Sequence, residues 1–275
     1  MASNPYWVGL KIQAGIVLQY RAQAWAGVFT QAVFGLIRVY LIVALFKSQP
    51  VQNISLSQSV SYIWFTQILL TLIAWGPDPL MSAMVKDGTL AYEMVRPVRL
   101  SLMWYMRSLA FRGFMPIMRG VPILILASFL PEPLGITWPV ELIANPMDFA
   151  AWAILNSLGL VLAWLLAGAL NNLINIAVVA LMSDDGIIRL APLVMIFFGG
   201  LILPMPLFPE GLQAVVKYLP FVGIMDMPAR LFSGHLFGWE ALATMGVQGM
   251  WLVAIVLIND IWLERRLKRA VIQGG

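Results

Sequence analysis

Long apolar blocks alternate with short polar segments along the chain, and each block predicts a helix that crosses a membrane. A helical span needs about 20 residues to cross the hydrocarbon core of a bilayer. Such blocks cover residues 24–46, 57–76, 102–130, 148–182, 187–203 and 236–263. The block at 148–182 is longer than a bilayer requires, so we expect it to tilt, kink or protrude. The pattern predicts an all-α membrane protein with six transmembrane helices.

The residues before the first block carry an apolar stripe that polar residues interrupt. Trp7, Leu10 and Val17 repeat at helical spacing, with Lys11 among them. This pattern favours an amphipathic helix over residues 1–22 that lies in the membrane interface. The alternative is an irregular start of the first span. No small-residue cleavage site follows, so we do not expect the stretch to be a secretory signal peptide.

The polar segment between the second and third blocks contains a short amphipathic helix of its own. Three apolar residues recur there every four positions, on one face of a helix, namely Leu90, Met94 and Val98. Gly88 and Pro97 bracket the stripe as helix breakers. We interpret the segment as a cytoplasmic helix that docks in a groove of a partner protein. The alternative is a surface helix that arginines hold against lipid headgroups.

Residues 204–235 are rich in proline and glycine but remain apolar. The prolines forbid one continuous helix, while large apolar side chains between them require burial. Broken backbone at membrane depth is tolerated where protein or a water-filled cavity covers it. We predict a re-entrant helical hairpin on the outer side, broken at Pro220 and Phe221, that acts as an outer gate. The alternative is a long interfacial loop.

Composition agrees with a membrane protein. The 275 residues are 61% hydrophobic and 11% charged, whereas a soluble domain carries about 25% charged residues. The polar remainder is scattered, so residues 1–275 form a single transmembrane domain without a separate soluble domain. Cysteine is absent, which excludes disulfides, thiol chemistry and cysteine-ligated metals.

The basic residues predict the orientation. If the N-terminus is cytoplasmic, the inner segments hold Lys11, Arg21, Lys86, Arg96, Arg99, Arg107, Arg265, Arg266, Lys268 and Arg269. The outer segments then hold only Lys47, Lys217 and Arg230. Because basic residues concentrate in cytoplasmic loops, both termini are cytoplasmic, with a basic tail at 264–275, and the number of spans is even. We expect a multi-pass protein of the cytoplasmic membrane.

Catalytic motifs are nearly absent. His235 is the single histidine and stands beside the start of the last span, where a polar anchor is the ordinary role. No zinc-binding HExxH spacing occurs, and no lysine completes the GxxxxGK[ST] phosphate loop. We therefore expect no enzyme activity, no metal and no cofactor on this chain. If the protein uses ATP, the ATP and Mg²⁺ belong to another polypeptide.

Two arginines fall inside predicted spans, where charge is costly and often functional. Arg38 lies well inside the first span, and Arg119 shares a helix face with Arg112, seven residues earlier. Their side chains either snorkel or pair with helix-end carbonyls, or contact an anionic substrate or lipid headgroup. Trp64 and Phe65 in the second span indicate an amphipathic or apolar substrate, or alternatively a lipid-facing aromatic belt.

These segments resemble the ABC-2-type permeases, the type V ABC exporters, and in particular the permeases that occur as a pair beside one separate ATPase. The loop after the second span resembles that group's G-x-L-…-L-x-R-P pattern at Gly88, Leu90, Met94, Arg96 and Pro97, with Met94 replacing a more usual leucine. The outer segment resembles P-…-F-P-…-L-P-F-…-P-…-G at Pro204, Phe208, Pro209, Leu219, Pro220, Phe221, Pro228 and Gly234. The resemblance covers essentially the whole chain.

The resemblance implies a permease that dimerises with a like or unlike second permease chain and binds two cytoplasmic ATPase subunits. It implies export of a substrate that it does not name; nucleic acid is not an expected partner. The residues that we assign to ATPase docking are Lys86, Asp87, Gly88, Leu90, Glu93, Met94, Arg96 and Pro97. Those that we assign to the outer gate are Pro204, Phe208, Pro209, Leu219, Pro220 and Phe221.

Two other functions compete with this one. A secondary transporter would need acidic residues inside its spans for ion coupling, but Asp148, Glu240 and Asp260 stand at span ends. A membrane-embedded enzyme that modifies lipids would need ionisable residues clustered at one depth, and the acidic residues on the cytoplasmic side have no histidine among them. Co-purification of an ATPase discriminates the exporter from both.

Overall fold

The computed structural model describes residues 5–19, 21–48, 53–94, 98–139, 142, 144–183 and 185–273. Within those ranges the chain forms helices and turns and no strands, which confirms the all-α class there. The helices are α1 (Pro5–Gln19), α2 (Arg21–Ser48), α3 (Leu56–Leu69), α4 (Pro79–Lys86), α5 (Leu90–Met94), α6 (Leu100–Phe129), α7 (Pro146–Leu181), α8 (Asp185–Phe198), α9 (Glu210–Val216), α10 (Asp226–Phe232) and α11 (Gly238–Gln273). Short 3-10 turns cover Leu70–Leu72 and Met205–Leu207.

Four helices in the described part of the chain are long and apolar enough to cross a membrane. They are α2, α6, α7 and the Gly238–Leu267 part of α11, and they indicate a membrane-embedded protein. The other two predicted spans are shorter, since α3 and α8 have 14 residues each. At 1.5 Å per residue α3 is about 21 Å long, and its 3-10 extension adds about 6 Å. The six-span arrangement stays a prediction.

The helix bundle has two ends that long-range contacts define. At one end, here called the terminal end, the Tyr6 hydroxyl accepts a hydrogen bond from the Arg99 amide at 3.1 Å. There Arg99 also forms a 2.7 Å ion pair with Asp260 in the second half of α11. At the other end, here called the loop end, Ser61 bonds to Thr137 over 2.8 Å.

Among the described residues, six helices, namely α2, α3, α6, α7, α8 and α11, run between these ends in alternating directions. α2 and α3 pair antiparallel, and α6 returns beside α3 from the terminal end to the loop end. α7 runs back along α6 and contacts α4, α8 and α11. α11 begins near Arg230 at the loop end and reaches Arg99 at the terminal end. The first and last described segments therefore meet at the same end of the bundle.

The first helix, α1, packs lengthwise against α6. Its Tyr6 contacts Arg99 just before α6, and the Gln23 carbonyl shortly after α1 accepts a 3.4 Å hydrogen bond from Arg119 within α6. The two helices thus run in the same direction. The placement of this segment in a membrane interface stays a prediction.

Helix α3 forms the centre of the core. Every side chain from Ser59 to Gln67 is buried, because α2, α6 and α10 surround the helix. Its Phe65 ring stacks on Phe232 of α10 with 4.1 Å between the ring centroids. The helix begins at a capping box, in which Ser55 and Gln58 each accept a hydrogen bond from the other's backbone amide.

Both segments that contain helix breakers form short helices, and α5 ends at Met94, so Val98 of the predicted apolar stripe lies outside it. Gly88 adopts a φ of +69°, a conformation that favours glycine, and separates α4 from α5. The 204–235 segment contains α9 and α10, and turns between them include Pro220 and Phe221. The basic tail is not a separate segment up to residue 273, because α11 continues through it.

Candidate functional site

A cavity of about 1180 Å³ opens at the terminal end, and we call it the basic cavity. It lies between the first residues of α2, the end of α3, α4, α6 and α7. The described residues that line it include four cationic side chains but only one carboxylate. The cations are Lys86, Arg107, Arg112 and Arg119, and the carboxylate is Asp78. The cavity therefore has an excess of positive charge.

Arg112 is the most deeply buried cation in this wall, with 5% of its surface exposed. It donates hydrogen bonds to the backbone carbonyls of Thr71, at 3.0 Å, and Ile73, which lie in and just after the 3-10 turn that follows α3. Its other terminal nitrogen donates to the Asn171 side-chain oxygen at 2.8 Å. All of these acceptors are neutral, so Arg112 joins α3, α6 and α7 without neutralising its own charge.

Asparagines of α7 hold the rest of the cavity wall. The Asn171 amide donates to Ser108 at 2.9 Å, and the Asn175 side-chain oxygen accepts from the Asp78 amide at 2.8 Å. The Asp78 carboxylate accepts from Leu80 as the N-cap of α4 and pairs with Arg107 at 3.2 Å. Because the α7 asparagines are buried, they act in packing between helices.

Arg119 closes the side of the cavity that faces the start of α2. Besides its bond to the Gln23 carbonyl, its guanidinium packs directly over Gly27, where a Cβ atom would collide with it. Glycine at this position permits the close approach, and a larger residue would displace the Arg119 guanidinium. The sequence predicts Arg119 as a candidate ligand contact, and the structure brings it into the same cavity as Arg112.

A second polar cluster lies at the loop end, and we call it the Asp226 network. Asp226 is fully buried. One carboxylate oxygen accepts from the Tyr62 hydroxyl at 2.7 Å and from the Met205 amide at 3.0 Å. The other oxygen is 3.8 Å from Arg230. Burial raises the pKa of Asp226, while Arg230 and these hydrogen bonds act in the opposite direction.

His235 connects this network to the loop after α2. Arg230 has only donors, so the 3.2 Å contact from its Nε makes His235 Nδ1 the acceptor. The Nε2 atom then carries the hydrogen and donates to the Asn53 carbonyl at 2.9 Å. Burial, with Arg230 as a second cause, lowers the pKa of His235. A neutral imidazole completes the network, in line with the predicted role as a polar anchor.

Three other predicted contact residues lie away from the basic cavity. Arg38 donates to Thr66 at 3.1 Å and is absent from the cavity wall. Trp64 is buried and donates to the Leu134 carbonyl at 2.7 Å, and Phe65 is in the core stack with Phe232. Substrate contact at Trp64 or Phe65 would therefore need a rearrangement of the core.

The predicted docking residues divide between surface and core. Lys86, Asp87 and Gly88 are exposed, whereas Glu93 is buried. Leu90 packs partly against the terminal-end core that includes Trp104. The Met94 side chain and all of Arg96 and Pro97 lie outside the described residues. Tyr92, which the sequence pattern did not single out, is 74% exposed on α5 and is the largest side chain that this segment presents.

The predicted gate residues pack around the end of α8. Phe208 and Phe221 contact the adjacent rings of Phe197 and Phe198, with centroid separations of 6.1 Å and 6.5 Å respectively. Pro204 and Pro220 are buried, Leu219 is partly buried and Pro209 is exposed. The two halves of the broken segment thus meet at one aromatic cluster.

Comparison of the chain with models of known protein families, with curated proteins and with solved structures found no match. Sequence reasoning missed Asp226 and the importance of Asn171. The sequence contained two signs of these sites. One was an isolated acid in an apolar segment, and the other was three asparagines in a long apolar helix. Neither signal shows which helices the side chains join, because that depends on tertiary packing.

Proposed function

We propose that the chain is the transmembrane subunit of an ATP-driven ABC exporter of the ABC-2 type. The observation that carries the proposal is the alternation of six helices between the two ends. Because the helices alternate, α4 and α5 lie at the terminal end, and the broken 204–235 segment lies at the loop end. These are the two segments that carry the resemblance. The cargo is an amphipathic or lipid-like molecule.

Charge supports a cytoplasmic position for the terminal end. Arg99 and Arg107 lie at this end with the first and last described helices, α1 and α11, while Arg230 lies at the loop end. The positive-inside rule assigns an end with more basic residues to the cytoplasm.

A helix of α3's length can cross the membrane inside the bundle, because its polar side chains contact protein on all sides.

In this proposal the ATPase subunits dock on the turn and helix at residues 86–92. ATP hydrolysis requires such subunits, because the sequence has no phosphate loop. Tyr92 is the side chain most available for docking, and Leu90 contributes by supporting the helix from the core side. Exposed aromatic residues are frequent energetic centres of interfaces.

A second permease chain completes the exporter. An apolar groove of about 510 Å³ lies between α7 and α8, and α2 exposes large apolar residues such as Phe29 and Phe34. The resemblance implies that the first, second and fifth spans line a path between the two permeases. Because α3 is buried, α2 and α8 supply the path-facing surfaces in this proposal.

The test is a reconstitution of the full chain with the ATPase encoded beside its gene. We expect the chain alone to be inactive towards ATP and the complex to hydrolyse it. Hydrolysis by the isolated chain would refute the assignment. Substrate movement that persists without any ATPase subunit would instead favour a secondary transporter.

A matched pair of variants tests the docking surface. Tyr92→Ala should weaken ATPase binding at least about tenfold, the size of effect expected at an interface hot spot. Trp239→Ala is the control, because Trp239 is 81% exposed but lies at the other end of the bundle. Equal binding by both variants would exclude docking at α5.

Single cysteines test the gate, because the native chain has none. Val215→Cys and Lys217→Cys are suitable positions because both residues are exposed on or just after α9. Gln213 is less suitable, since it donates to the carbonyls of Pro206 and Phe208. Labelling by a membrane-impermeant thiol reagent should change with the nucleotide state of the complex. Identical labelling with and without ATP would mean that the segment does not act as a gate.

A further inference from the structure

We propose that the basic cavity binds the phosphate group of an anionic amphiphile, whose apolar part lies against the outer portion of the same cavity. The view that this amphiphile is also the exported cargo rests on the proposed function. The binding itself does not, because every residue involved belongs to this chain.

Two of the cations in the cavity wall, Arg112 and Arg119, form no ion pair with the described residues. Asp78, the only described acid in the wall, is paired with Arg107 at 3.2 Å. Arg112 and Arg119 have only neutral oxygens as acceptors. A buried charge without a counter-charge is costly, and a bound anion would remove that cost.

Unused hydrogen-bond donors support an anionic ligand. Among the described residues, the Nε atoms of Arg112 and Arg119 are buried and have no acceptor. The two arginines lie seven positions apart on one face of α6, so that their guanidinium groups project to the same side. Guanidinium groups match the geometry of phosphate oxygens, which accept several hydrogen bonds at once.

The remainder of the wall is apolar, which distinguishes an amphiphile from a free ion. Trp75, Phe111, Leu80 and Ile188 line the cavity, and each of them leaves a large part of its surface exposed. Apolar surface at the mouth of a charged cavity favours a ligand with one anionic and one apolar part.

The test measures binding by the purified full chain in a neutral detergent, without ATPase. The probes are dioctanoyl phosphatidic acid, dioctanoylglycerol, which has the same acyl chains but no phosphate, and inorganic phosphate. Titration calorimetry should show phosphatidic acid binding at least about tenfold more tightly than either of the other two.

Three variants locate the site. Arg112→Gln should weaken phosphatidic acid binding at least tenfold, and Arg119→Gln at least threefold. Arg99→Gln removes a charge at the same end of α6 but outside this cavity, and should leave the affinity unchanged. If Arg112→Gln does not fold, Arg119→Gln still decides, because Arg119 makes one long hydrogen bond to a backbone carbonyl.

Equal affinity for phosphatidic acid and dioctanoylglycerol would overturn the proposal. So would an equal loss in Arg99→Gln, which would indicate general attraction to a basic surface. Inorganic phosphate that binds as tightly as phosphatidic acid would show a free-anion site and exclude the amphiphile. If phosphatidic acid does not bind but the complex still hydrolyses ATP, the proposed binding site is wrong and the proposed function is not. If phosphatidic acid binds but the chain does not form an active complex with the ATPase, the proposed function is wrong and the binding site is not.

Discussion

The Asp226 network and the basic cavity bury charge in opposite ways. At the loop end, the Asp226 carboxylate lies 3.8 Å from the opposite charge of Arg230 and accepts hydrogen bonds from Tyr62 and a backbone amide, so its charge is compensated within the chain. At the terminal end, Arg112 meets only neutral oxygens, and the cavity beside it remains open. A cluster with compensated charges stabilises the fold, whereas a cluster with uncompensated charge can bind a ligand of opposite charge.

The difference also separates the two ends by role. The Asp226 network joins α3, α10, α11 and the turn after α8, and thereby fixes a segment that prolines prevent from forming one helix. At the basic cavity, Arg112 connects α6 to α7 and to the turn after α3, and the volume beside these contacts stays open. Four predictions test this contrast.

The largest effect is expected for Asp226→Ala. The change removes the buried carboxylate partner of Arg230, which keeps only the exposed Glu240 at 3.5 Å, and breaking a buried pair in this way costs about 3–5 kcal/mol. Thermal unfolding of the purified chain in detergent measures the loss, and the Asp226→Ala/Arg230→Met double variant should recover part of it. A loss below about 1 kcal/mol in the single variant would show that the network does not stabilise the loop end.

Tyr62→Phe should have the next largest effect. It removes only the hydroxyl that donates to Asp226, and hydrogen bonds to charged groups contribute about 1.5–3 kcal/mol. The same unfolding measurement applies, with Tyr105→Phe as control, because the Tyr105 hydroxyl donates to a neutral carbonyl at 3.0 Å. If the two tyrosine variants lose equal stability, the charge on Asp226 contributes nothing to this bond.

Arg112→Gln should destabilise the chain less, by about 0.5–1.5 kcal/mol, because the lost hydrogen bonds are offset by removal of an uncompensated charge. Its second signature is the loss of stabilisation by ligand, which is about 2.7 kcal/mol at a hundredfold excess of phosphatidic acid over its Kd. The Asp226→Asn variant should keep that ligand effect. An Arg112→Gln variant that costs as much as Asp226→Ala would remove the contrast between the two ends.

The smallest effect concerns pH at the loop end. Because the pKa of His235 is lowered in the fold, the unfolded chain binds more protons as pH falls through the ordinary histidine range near 6.5. Stability from this group is therefore present above that range and is lost below it, by about 1 kcal/mol or less for one hydrogen bond. His235→Gln should reduce the difference between unfolding midpoints at pH 7.5 and 5.5, and an unchanged difference would exclude His235 as its source.

The sequence predicted the helices more accurately than the sites. The apolar blocks that became α2, α6, α7 and α11 were visible because lipid-facing and core-facing side chains are both apolar, which gives long continuous blocks. The helix ends at Gly88 and in residues 204–235 were also predictable, because glycine and proline interrupt a helix through their own backbone conformation. By contrast, Trp64 and Phe65 looked accessible in sequence and are buried in the structure.

What the sequence determined by itself was therefore the all-helical, membrane-embedded class and the positions where the chain cannot continue a helix. These depend on the composition and backbone chemistry of neighbouring residues. Tertiary structure alone decided that Arg112 reaches Asn171, 59 positions away, and that Tyr62 reaches Asp226, 164 positions away. Charge compensation is a property of side chains that meet in space, so only packing could leave one buried cluster neutral and the other open to an anion.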